Sequence, residues 1–162
     1  MRKAILILTA GLAALALVPL ASADKPIREF TPIEDFVIED VCAFPVEYNV
    51  LANKEFATTF SDGRQLITGK LKVRLTNLDD PSKSLSVNIS GPGVIRVSEE
   101  GVFTLKATGR WLFFFFPGDF GPGEPGLMVV TTGRAILRID ADGTFSFSHP
   151  RGTTRNVCAA LA

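Results

Sequence analysis

The sequence predicts an all-β domain: a single antiparallel meander of about eight strands closed into a barrel, with a two-sheet β-sandwich as the alternative. Three observations predict it. From Phe44 onward, short runs of alternating apolar and polar residues follow one another at hairpin spacing, the period-2 pattern of half-buried strands. Turn residues separate the runs, as at Asp62-Gly63, Asp79-Asp80-Pro81, Glu99-Glu100-Gly101 and Asp142-Gly143, because Gly, Asp and Pro supply the backbone angles of tight turns. No long helical period interrupts this series. A closed barrel hides the edges of so many neighbouring strands.

The chain opens with Met1-Arg2-Lys3, an apolar run from Ala4 to Leu20, and Ala21-Ser22-Ala23. A basic start, an apolar centre and an A-x-A site predict a cleaved secretory signal over 1–23 and a secreted protein of bacterial style. A membrane anchor is the competing reading. The run sits at the short end of the ~17–25 residues a spanning helix needs, and no basic stop-transfer residues follow it. No membrane span is expected after cleavage.

Cleavage leaves about 139 residues (162 minus 23), enough for one domain with its own core. It removes Arg2 and Lys3, so 15 basic residues face 17 acidic ones, near −2. That balance argues against nucleic acid as a partner.

Residues 24–41 mix acids, prolines and isolated apolar side chains, and read as an extended arm lying on the domain at 42–162. Within the domain, "QLITGKLKVRLTN" places Ile67, Leu71, Val73 and Leu75 on one face and Lys70, Lys72 and Arg74 on the other. "SLSVNIS", "VIRVS", Val102–Phe116, "LMVVTTGRAILRID" and "TFSFSH" continue the meander, and "VCAAL" reads as a short C-terminal helical segment. Cys42 and Cys158 are the only cysteines. In an exported chain such a pair predicts a disulfide tying the first strand to the C-terminal segment.

Three strands share a small signature: Thr68-Gly69-Lys70, Thr108-Gly109-Arg110 and Thr132-Gly133-Arg134. By parity the glycine lies on the inner face each time and the basic residue on the outer. A bend in a tightly coiled sheet explains the glycines more simply than room for a ligand. A hairpin around residues 117–126 would pair Gly109 with Gly133 and make Arg110 and Arg134 diagonal neighbours. Surface acids such as Glu99, Glu100 or Asp119 would then offset the basic side chains.

The run Trp111-Leu112-Phe113-Phe114-Phe115-Phe116 is apolar on both faces. Trp111, Phe113 and Phe115 continue the inner row of Phe103 and Leu105. Together with Gly109 and Gly133 these are the candidate residues for an apolar ligand. Leu112, Phe114 and Phe116, with Met128 and Val130 on the next strand, form a candidate interaction surface. Its cover would be the arm with Phe30 and Phe36, the following loop with Phe120, or a second subunit.

Catalytic signatures are thin. His149 is the only histidine, it has no neighbouring nucleophile or metal partner, and a structural role fits it best. Asp140-Ala141-Asp142-Gly143 begins like a calcium loop but lacks the later ligands. No catalytic residue, metal site or cofactor is predicted.

The segments "TTFSDGR", "SGPG", "TGRW", "TTGRA" and "VCAAL" are similar to those of small secreted bacterial β-barrel proteins without an assigned function. In strand count and glycine-kinked long strands the chain also resembles calycins and the barrel of allene oxide cyclases and dirigent proteins. That resemblance implies an apolar small molecule inside the barrel and, for the cyclase-type barrels, a trimer. The expected function is therefore a non-enzymatic exported protein acting through a surface that self-associates or binds an extracellular component. The alternative is a barrel that binds or cyclises a small hydrophobic ligand.

Overall fold

A computed structural model describes residues 25–162, so the predicted signal segment lies outside the described residues. Among the described residues the fold is an all-β antiparallel meander of nine strands with one short helix. They are β1 (Ile27–Phe30), β2 (Phe36–Ile38), β3 (Val46–Thr59), β4 (Gln65–Asn77), β5 (Ser84–Asn88), β6 (Gly93–Val97), β7 (Phe103–Phe115), β8 (Leu127–Ile139), β9 (Phe145–Asn156) and α1 (Val157–Leu161). The arm itself contributes β1 and β2, both paired to one edge of β3, and the chain from Val46 onward contributes the other seven.

The hydrogen-bonded path runs β1-β3-β4-β6-β7-β8-β9, with β5 attached to β4 and β2 to β3. Among the described residues no ladder joins β1 to β9, so backbone hydrogen bonds do not close this sheet. β4 splits its pairing. Gln65–Ile67 face β6, whereas Lys72–Thr76 face β5. One end of the sheet thus divides into two layers that pack through side chains.

A row of glycines organises the rest. Gly109, Gly133 and Gly152 sit side by side on β7, β8 and β9, the first pair in the register that the sequence predicts. All three have positive φ, at 78°, 93° and 122°, a region that residues with a Cβ enter only with strain. The bend reading of Gly109 and Gly133 therefore holds. Beyond this crease, the far halves of β7 and β8 turn back over the near halves. Phe113 packs against Phe147, and Phe115 against both Phe145 and Phe147, with ring centroids 4.9–5.5 Å apart.

The far half of the β7–β8 hairpin is consequently a middle layer. Its one face, with Phe113, Phe115 and Val129, joins Leu105, Ala107 and Ala135 in one core. Its other face, with Met128 and Val130, joins Val46, Tyr48, Val73, Leu75 and Val87 in a second core, against which Leu112 packs. Strands buried on both faces need apolar residues at consecutive positions, not alternate ones. That requirement explains the consecutive apolar residues Met128, Val129 and Val130, all buried, whereas Phe114 and Phe116 stay exposed.

The C-terminus closes the second core. α1 is capped by the Asn156 side chain, which accepts from Ala159 N at 3.0 Å, and it buries Val157 and Leu161. Asn77 Nδ2 donates to Leu161 O at 3.0 Å. The Cys42–Cys158 disulfide joins the start of the domain to α1, with Cα atoms 5.4 Å apart.

Candidate functional site

The site is built on an irregularity in β3. Val46, Tyr48 and Val50 face Asn77, Leu75 and Val73 across the ladder, but Ala52 faces Lys72, so Leu51 is an extra residue. Such a bulge reverses which positions point inward. Beyond it Asn53 and Glu55 oppose Leu71 and Gly69, and a glutamate turns toward the core. The arm holds the bulge: Asp35 Oδ1 accepts from Val50 N at 2.6 Å, and Asn53 Nδ2 donates to Thr31 O at 2.8 Å.

Glu55 and Tyr48 line a cavity of about 270 Å3 between the arm, β3, β4 and the middle layer. Leu71, Ile89, Leu112 and Phe114 form its apolar walls, Ile33 and Phe36 of the arm cover one side, and Trp111 completes it. Both polar residues are buried, at 7% exposure for Glu55 and 4% for Tyr48. Burial holds the Glu55 carboxyl above the ordinary carboxylate range, because the apolar walls disfavour its charged form. The Tyr48 hydroxyl is pushed up to about 12, by burial first and by the Glu55 charge second. Tyr48 is held in place by Phe36, whose ring stacks on it at 4.5 Å.

Trp111 lines the cavity with part of its ring and packs the rest on two glycines. Its indole lies against Gly91 and Gly93, where an added Cβ at Gly91 would come within 2.6 Å of the ring nitrogen. The Trp111 Nε1–H is buried without a hydrogen-bond partner among the described residues. A buried unpaired donor costs about 1–3 kcal/mol. The cavity thus combines apolar walls with a carboxyl held above its ordinary range and a phenol. Such a set suits a small, mostly apolar molecule carrying a hydrogen-bond acceptor.

The residues singled out from sequence are placed as follows. Phe103, Leu105, Trp111, Phe113 and Phe115 do share one face and all pack in or against the aromatic core, Trp111 stacking on Phe113, while Gly109 and Gly133 lie at the crease. Of the predicted outer patch, Met128 is fully buried and Val130 is 6% exposed. These two are corrected from surface to core, because the folded hairpin gives them a second layer to pack on. Phe114 and Phe116 remain exposed. The loop after β7 folds onto the other face than expected, with Phe120 against Phe115 at 4.9 Å.

His149 bridges backbone segments: its ring is 2.8 Å from Thr132 O and 3.2 Å from Thr154 Oγ1, beside a shift in the β8–β9 register. Asp140–Thr144 is a hairpin turn in which Asp142 Oδ1 accepts from Thr144 N at 2.8 Å. No three His, Cys, Asp or Glu side chains among the described residues are grouped as a metal site requires. Comparison of the chain with protein-family models, with curated proteins and with solved structures finds no match.

Proposed function

We propose that this chain is an exported β-protein that binds a small, largely apolar molecule in the cavity between the arm and the middle layer. The observation that carries the reading is the buried Glu55 carboxyl set among apolar walls beside Tyr48. A protein interior excludes such groups unless they have partners, and a ligand acceptor would supply one. Glu55 in its protonated form donates to an oxygen or nitrogen of the ligand, while Leu71, Ile89 and Leu112 contact its apolar body. The same carboxyl could serve as a general acid in a cyclisation, but no nucleophile or second acid–base group beyond Tyr48 lines the cavity. Binding without turnover is the favoured form.

Trp111 is the only tryptophan and lines the cavity, so its fluorescence reports occupancy directly. Titration with N-phenyl-1-naphthylamine, a neutral hydrophobic probe, should quench Trp111 emission saturably. Ile89→Phe, which adds bulk to the wall, should abolish that quenching. Equal quenching in both proteins, or none in either, overturns the reading. Native mass spectrometry of protein purified from its own host would give the mass of the bound molecule.

A second reading keeps the surface. Phe114 and Phe116 are 38% and 50% exposed near one end of β7, and exposed aromatic clusters mark contact sites. Size-exclusion chromatography with light scattering on the wild type and on Phe116→Ser tests it. A monomer in both cases sets self-association aside.

A further inference from the structure

The outer face of β7, β8 and β9 gathers four arginines around the crease. Arg110 faces Thr132, which in turn faces Thr153; Arg155 faces Val130; and Arg134 faces both Thr108 and Arg151. Like charges on neighbouring strands repel, and surface acids would be the ordinary remedy. The ion pairs among the described residues are Arg64–Asp62, Arg96–Asp62 and Arg138–Asp140. None of Arg110, Arg134, Arg151 and Arg155 takes part in one, so the acids expected to offset Arg110 and Arg134 do not do so.

Two of these arginines share a cleft. Arg110 and Arg155 line a space of about 240 Å3 together with Thr132, Thr153 and Ser86, the last from β5 across the gap. Its apolar floor is Val87 and Val130, both buried. The space shares no lining residue with the Glu55 cavity.

The hydroxyl arrangement adds a donor. Thr132 Oγ1 and Thr153 Oγ1 are 2.7 Å apart, and Thr132 Oγ1 also accepts from Thr153 N at 3.1 Å. The pair carries two hydroxyl protons, and only one can lie between the two oxygens. The other is free to point at a ligand whichever way the pair is oriented. The cleft therefore presents two guanidinium groups and one O–H, all donors, and no carboxylate lines it.

We propose that this cleft binds a tetrahedral oxyanion, a phosphate or sulfate group, between Arg110 and Arg155. Guanidinium groups match such oxygens in charge and geometry, and the hydroxyl satisfies a third oxygen. The anion also relieves the repulsion among the four arginines, which explains how the fold tolerates them on adjacent strands. The group is either a free inorganic ion or the head of a monoester whose organic part lies over Val87 and Val130.

The test is isothermal titration of the purified protein with sodium phosphate, sodium sulfate and phenyl phosphate, at constant ionic strength set by sodium chloride. Saturable binding of at least one tetrahedral anion is expected. Arg110→Gln and Arg155→Gln should each weaken it about tenfold, as loss of one charge-assisted contact does. Arg110→Lys should fall between, and Arg96→Gln, outside the cleft, should leave binding unchanged. Tighter binding of phenyl phosphate than of inorganic phosphate identifies a monoester as the ligand form, and the reverse identifies the free ion. Binding no stronger than that of chloride, or equal losses in Arg96→Gln and Arg110→Gln, overturns the proposal. Arg110 and Arg155 are exposed, so the variants should fold, and far-UV circular dichroism checks that they do.

Discussion

The ring of Phe113 lies 5.1 Å from that of Phe147, although the two belong to distant rungs of one ladder. Phe147 faces Leu137, which faces Leu105, eight residues before Phe113 on the same strand. In a straight strand eight residues span about 26 Å. Leu105 and Phe113 are each four residues from Gly109, and Phe103 and Phe115 are each six residues from it. The hairpin is folded at the Gly109–Gly133–Gly152 row, and residues equidistant from that row are brought face to face.

A side chain at the crease should be costly. At Gly152 an added Cβ would collide with the carbonyl oxygen of Thr132, and φ is 122°. Gly152→Ala should destabilise the domain by roughly 2–4 kcal/mol, combining left-handed strain with a backbone clash. Gly143→Ala is the control, since its φ of 87° carries the strain but nothing lies within 4 Å. It should cost about 1 kcal/mol. Urea melts of the two variants compare the terms directly.

The middle-layer position of β8 gives a second contrast. Met128 is 0% exposed and Phe116 is 50% exposed, although both are large and apolar. Met128→Ser leaves a void and buries a hydroxyl, and should cost roughly 3–5 kcal/mol. Phe116→Ser should change stability by less than about 1 kcal/mol. Thermal melts that rank the two the other way would contradict burial of the hairpin on both faces.

These contrasts show what the residues alone disclose. Parity located the inner row from Phe103 to Phe115, the hairpin centre gave the Gly109–Gly133 register, and Gly, Asp and Pro marked the turns, because each of these is local information. Parity could not disclose that the sheet folds across its own strands. That fold makes Met128 and Val130 core residues and sets Phe145 and Phe147 on Phe113 and Phe115. Glu55 escaped for a related reason. The extra residue Leu51 flips the alternation of β3, and nothing in "YNVLANKEF" marks where it falls. The packing of Trp111 on Gly91 and Gly93 had a signal, a large ring and two small residues, but it lies in tertiary pairing. The bare Arg110 face was visible as charge; only the ion-pair geometry shows it unmatched.

The disulfide closes a loop of 116 residues between Cys42 and Cys158. In the chain-entropy view a loop of that length limits the unfolded ensemble by about 4–5 kcal/mol, as an upper value. The Cys42→Ser, Cys158→Ser double variant should therefore unfold at markedly lower urea concentration. Its effect should exceed that of either crease or surface variant, and it should match the wild type measured under reducing conditions. A midpoint unchanged by reduction would place the stability of α1 in its packing through Val157 and Leu161 instead.

Glu55 makes stability depend on pH with a definite sign. Its carboxyl is held above the ordinary glutamate value of 4.5 by burial. Between that value and the raised one, the folded protein holds a proton that the unfolded chain has released. Stability must then fall as pH rises through this window, because the folded state binds more protons. The contribution is fully present at acidic pH below the window and lost above it. Glu55→Gln removes the titration while keeping the shape of the side chain. It should raise the melting temperature at pH 8 by a few degrees, as about 1 kcal/mol does in a chain of this size, and leave it nearly unchanged at pH 4. Occupancy of the cavity adds a further check. A ligand that accepts a proton-bearing contact from Glu55 should bind more tightly as pH falls through the same window, and that dependence should vanish in Glu55→Gln. Stability that rises between pH 5 and 8 in the wild type, and no longer does so in the variant, would mean that Glu55 is stabilised as a carboxylate, which the apolar walls around it oppose.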